Sequence, residues 1–168
     1  MKRIISIFFV VFFIMSMITG CAITTENGEF TTDLISAISA INKELKDNGL
    51  QELPMPEQKA EDMAQLNYSL GDIEVILTAG ELSGNLKKIR FLDNTHKYVA
   101  SDTRSEKRML EYIKCFIKVL DRDADIDKIS KELEFQNLEK SGSRETNTKY
   151  CKYSFSVGTG ARFVMEAK

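Results

Sequence analysis

The densest run of chemistry-bearing side chains is Asp121 to Glu132, DRDADIDKISKE. Asp121, Asp123, Asp125 and Asp127 alternate, and Glu132 closes the stretch. Oxygen donors at that spacing are what a calcium loop presents, because Ca²⁺ is a hard cation that gathers several oxygens. Such a loop also needs a glycine at its sharp turn, and Ile126 stands there instead. Ile126 also shares a helical face with Ile129 and Leu133. On that second reading Asp123 or Asp125 caps a helix beginning near 126, and the acids lie at its positive end. The missing glycine favours the helix, so no metal site is expected. Asp121, Asp123, Asp125, Asp127 and Glu132 remain the calcium alternative.

Other catalytic patterns are weaker. His96 is the single histidine, with Asp93 and Asp102 near it in the chain. No G-x-S-x-G nucleophile turn accompanies it, so a solvated loop histidine is expected. Gly158-Thr159-Gly160 has no Lys-Ser/Thr pair after it and reads as a hairpin turn, not a phosphate loop. Cys115 borders the apolar face of a helical stretch. Cys151 shares strand parity with Tyr153, Phe155 and Val157. Both cysteines therefore point inward and could meet in a disulfide. Two buried free thiols are the other reading, because cysteine is among the most buried residues.

The elements that position these groups follow from periodicity. Residues 31 to 48 read as a helix through Leu34, Ile38, Ile41 and Leu45, with Thr31 or Thr32 as cap and Gly49 as stop. Pro54 and Pro56 interrupt the connector, and a short helix is expected from Pro56 to about Ala64. Leu66 to Leu70, Ile73 to Ala79 and Leu86 to Leu92 read as a β-meander, and His96 to Ala100 as a short edge strand. Ser105 to Leu120 is the clearest helix, opened by capping-box spacing between Thr103 and Glu106. A second helix runs from Ile126 to Phe135. Glu139 to Asn147 reads as a loop, and Lys149 to Val157 and Ala161 to Ala167 as a hairpin. The order is helix, meander, two helices, hairpin, with no internal repeat. Grouped strands imply an α+β fold with an antiparallel sheet of about 4–6 strands and helices on one face.

The N-terminus supplies an address. Met1-Lys2-Arg3 is positive, Ile4 to Ile18 is apolar apart from Ser6 and Ser16, and Thr19-Gly20-Cys21 follows. A charged start, a short apolar run and a small-residue exit make a secretory signal, too short for a comfortable bilayer span. Ile18-Thr19-Gly20-Cys21 resembles the lipobox of bacterial lipoproteins. The resemblance covers residues 1–21 and implies cleavage after Gly20, with a diacylglyceryl group on the Cys21 sulfur. It divides the chain into a signal peptide at 1–20, a lipidated and flexible tether at 21–29, and one α+β domain at 30–168. Eight residues after Cys21 reach at most about 28 Å, so the domain is expected near the lipid headgroups. An exported setting permits a disulfide, and with Cys21 lipidated a zinc site lacks ligands.

Composition narrows the function classes. Loss of Lys2 and Arg3 with the signal leaves 21 basic and 25 acidic side chains, a formal charge of −4. That balance argues against nucleic acid as a partner and against a basic lipid-binding surface. The expectation is a lipid-anchored, non-catalytic domain on the outer face of a bacterial membrane. It would bind a protein or envelope component and need no cofactor beyond the covalent diacylglycerol. A cell-surface hydrolase and a ligand-binding accessory lipoprotein of a transporter are the rivals.

Overall fold

The first helix, α1 (Leu34–Asp47), forms where the apolar period places it and buries Leu34, Ala37, Ile38, Ile41 and Leu45. Its cap is Asp33, whose carboxylate accepts the Ser36 amide at 2.9 Å. Thr31 and Thr32 do not serve. The Thr32 carbonyl accepts the Leu86 amide and Asp33 bridges to Asn85, so the chain there is still extended. Gly49 takes the left-handed conformation at φ 67°, which lets the Leu50 amide reach the Leu45 carbonyl. The computed structural model describes residues 23–56, 64–93, 104–138 and 140–168. Residues 57–63 of the helix expected from Pro56 to about Ala64, the edge strand 96–100, His96, Asp102 and the residues before Ile23 lie outside them.

Six strands follow in one antiparallel sheet: β3 (Gln65–Leu70), β4 (Ile73–Ala79), β5 (Leu86–Asp93), β6 (Gly142–Asn147), β7 (Cys151–Val157) and β8 (Ala161–Ala167). Their spatial order is β3-β4-β5-β8-β7-β6. Two further helices, α2 (Arg104–Leu120) and α3 (Ile126–Glu132), stand between the two groups of strands. The architecture is therefore α+β, as the grouping of elements predicts. It also has a regularity that the sequence hides. A helical segment and a three-stranded meander occur twice, and the meanders meet where β5 pairs with β8.

The core lies on one sheet face. Val75, Leu77, Ile89, Phe91, Tyr153, Phe155, Phe163 and Met165 alternate inward and meet the buried sides of the helices. Phe91 meets Phe116 edge-on at 4.9 Å, and Phe135 meets Phe155 at 5.0 Å. The opposite face holds polar and charged side chains, including the pairs Lys88–Glu166 and Lys152–Glu145, both at 3.2 Å.

Three segments differ from expectation. Gly142–Asn147, read as part of a loop, is strand β6. Its sequence GSRETN lacks apolar alternation because it is an edge strand. Arg144 there pairs with Glu134 at 2.7 Å, and Thr146 donates to Glu132. Helix α3 stops at Glu132, before Phe135, because Glu134 turns to positive φ. The presumed tether is partly structured: β1 (Thr25–Glu26) and β2 (Glu29–Phe30) form a hairpin. Its turn is Asn27-Gly28, both at positive φ, as a two-residue hairpin of this composition favours. Phe30 is fully buried and Ile23 packs half-buried against the core, so these apolar contacts outweigh a polar composition.

Candidate functional site

The expected chemistry at Asp121–Glu132 is divided among separate structural tasks. Asp121 is 2% exposed and lies just past the carboxyl end of α2. A helix dipole disfavours an anion there, so donors must hold it. Tyr153 OH donates to its Oδ2 at 2.6 Å and Thr148 Oγ1 at 2.5 Å. Thr148 Oγ1 in turn accepts the Cys151 amide at 3.1 Å. Asp125 caps α3, its Oδ1 accepting the Lys128 amide at 2.9 Å. Asp123 and Asp127 are exposed, and Glu132 is taken by Thr146 and Lys128. The five carboxylates thus do not converge on one point. Among the described residues no group of three or more His, Cys, Asp or Glu is placed to hold a metal ion.

The two cysteines are buried free thiols in different surroundings. Cys151 lies beside Asp121 and Tyr153 in the core. Burial, then the field of the Asp121 carboxylate, pushes its thiol far above the usual range. Burial and its neighbours Cys151 and Asp121 push the Tyr153 phenol up as well. Cys115 lines a cleft instead. Burial raises its thiol and the Glu44 carboxylate adds to the effect, so it is not a ready thiolate.

That cleft is a concave feature in which polar groups converge around an apolar lining. It measures about 440 Å³ and opens between α1, α2 and the start of α3. Leu50, Cys115 and Ile126 give it an apolar lining, and Glu44, Glu111, Lys114, Lys118 and Asp127 surround them. One ion pair braces its wall: Lys118 Nζ meets Glu44 Oε1 at 2.6 Å, and Asn48 Nδ2 donates to the same oxygen at 2.8 Å. The Lys118 contact holds the Glu44 carboxyl below its usual range. Glu111, Lys114 and Asp127 make no ion pair among the described residues. A ligand with an apolar body and charged substituents would find complements to each part here. The periodicity of α2 put Glu111 and Lys114 on its water side, but nothing local to the sequence brings Leu50 or Asp127 to them.

A second feature sits at one end of the sheet. The β4–β5 turn, Gly80 to Asn85, projects Leu82 fully into solvent. Ser83 Oγ donates to Glu29 at 2.5 Å, fastening this turn to the β1–β2 hairpin. A Cβ at Gly80 would displace the Glu29 carboxylate and with it the Ser83 contact. Among the described residues no helix is long and apolar enough to cross a membrane. The chain matches no family model, no curated protein and no solved structure.

Proposed function

We propose that this chain is a bacterial lipoprotein, moored to the outer face of a membrane through a diacylglyceryl group on Cys21. Its domain works by binding a protein or envelope component. The anchor rests on one observation: the ordered series of a basic start, the apolar Ile4–Ile18 run and Thr19-Gly20-Cys21. The binding role is supported by the interhelix cleft, whose volume of about 440 Å³ falls in the usual range for ligand sites. Its uncommitted Glu111, Lys114 and Asp127 supply directional contacts at the mouth. The same volume favours a second reading, a small-ligand accessory of a transporter.

Mass spectrometry of protein taken from host membranes tests the anchor. A chain beginning at Cys21 with the added mass of a diacylglyceryl group is expected, and an unmodified cysteine or a retained leader refutes it. For the cleft, membrane pull-downs with wild type, E111R/D127R and the sheet-face control E145R are compared. A partner lost only with E111R/D127R assigns the contact to the cleft. A partner recovered equally with all three removes the cleft from the contact.

A further inference from the structure

We infer that the domain has a fixed membrane-facing end, formed by the β4–β5 turn and the β6–β7 connection, with Leu82 entering the lipid surface. The inference rests on the proposed acylation of Cys21. Its geometric argument begins with the short chain between anchor and fold. Ile23 already packs on the core, so Cys21 is two residues from the domain, at most about 7 Å of chain. A tether that short leaves the domain little freedom to turn away. The end nearest the anchor must face the bilayer.

Strand direction identifies that end. Because the sheet is antiparallel throughout, the finish of β4, the start of β5, the finish of β8, the start of β7 and the finish of β6 share one edge. The β1–β2 hairpin joins this edge through Glu29–Ser83 and the Asp33–Asn85 bridge. Here Leu82 stands fully in solvent. An isolated exposed leucine is ordinary, but this one occupies the turn that touches the anchor-bearing hairpin. Two strands away, roughly 10 Å, the same edge carries Lys149, Tyr150 and the terminal Lys168. Lys149 Nζ lies 4.6 Å from the Tyr150 ring centre. Tyrosine and lysine suit the headgroup layer, where one part of the side chain is apolar and its tip is wet. Glu26, Glu29 and Glu81 lie on the Leu82 side and oppose anionic headgroups, so Leu82 alone carries the contact there, while Lys149 and Lys168 serve the Tyr150 side with Asp123 near Lys149. At the opposite edge the turns Gly71-Asp72 and Gly158-Thr159-Gly160 expose no large apolar side chain.

The chain has no tryptophan, so Leu82→Trp and Thr159→Trp each add a single reporter, one at each end. Both full-length acylated proteins are placed in phosphatidylethanolamine/phosphatidylglycerol vesicles, with and without brominated acyl chains. The expected result is blue-shifted, bromine-quenched emission from L82W and unquenched emission from T159W. Equal quenching at both ends, or none at either in vesicles that carry the acylated protein to the top of a flotation gradient, overturns the orientation and leaves the anchor standing. Failure to float, together with a mass lacking the diacylglyceryl group, removes the anchor and the orientation with it.

Discussion

Asn42 and Asp121 are both buried polar side chains, and each secures one half of the molecule by a different chemistry. Asn42, on α1, donates Nδ2 to the Leu53 carbonyl and accepts the Leu53 amide, both at 2.7 Å. A neutral amide thereby completes the hydrogen bonding of one extended residue without help from elsewhere. Asp121, after α2, has no donor of its own when ionised and draws on Tyr153 and Thr148, from β7 and the turn before it. The amide fastens one connector. The carboxylate fastens a junction of several elements, so its loss should reach further.

That contrast is testable by chemical denaturation. Asp121→Ala strands the buried Tyr153 hydroxyl and releases Thr148, for an expected loss of about 3 kcal/mol. Asn42→Ala leaves the Leu53 amide and carbonyl unpaired and should cost about 2 kcal/mol. Equal or reversed losses in urea titrations would dissolve the distinction between the two fastenings.

Alkaline unfolding sharpens the same comparison, because Asp121 sits directly against two buried acids, Cys151 and Tyr153, whereas Asn42 bonds only the Leu53 backbone and the Met55 sulfur. Cys151 and Tyr153 both have raised pKa values in the folded protein. Unfolded, a thiol ionises near pH ~8.5 and a phenol near pH ~10. Above those values the unfolded chain holds fewer protons than the folded one, so stability falls as pH rises. Below about pH 8 neither group contributes a slope. Each group adds up to about 1.4 kcal/mol per pH unit once its unfolded form has ionised. Tyr153→Phe should flatten the decline above pH ~10, and a wild-type curve level to pH ~11 would contradict the burial of both groups.

The smallest expected effect separates the cysteines kinetically. Cys115 is 5% exposed in the cleft wall, whereas Cys151 is fully buried. Thiol reagents should modify Cys115 first in the native protein and reach Cys151 only as rapidly as the domain opens. Equal rates for the two, resolved by peptide mapping, would mean that the cleft is no more accessible than the core.

Legibility in the sequence followed the reach of each interaction. Strands β4, β5, β7 and β8 and helices α1 and α2 were readable because burial on one face imposes a period of 2 or 3.6 on neighbouring residues. Edge strand β6 was not, since pairing with β7 holds it and its inward positions are Arg144 and Thr146. The DRDADIDKISKE stretch was half legible. The capping role of Asp125 follows from the residues after it, whereas the buried fastening by Asp121 depends on Tyr153, 32 residues away.

The sequence by itself determined the α+β class and the inward parity of Cys151, because each is written in adjacent residues or a short period. Only the tertiary structure decided that two like meanders join at β5 and β8, that Leu50 and Asp127 face Glu111 across a cleft, and that the turn carrying Leu82 touches the β1–β2 hairpin. These are distances between residues far apart in the chain, and packing the shared core fixes them all together.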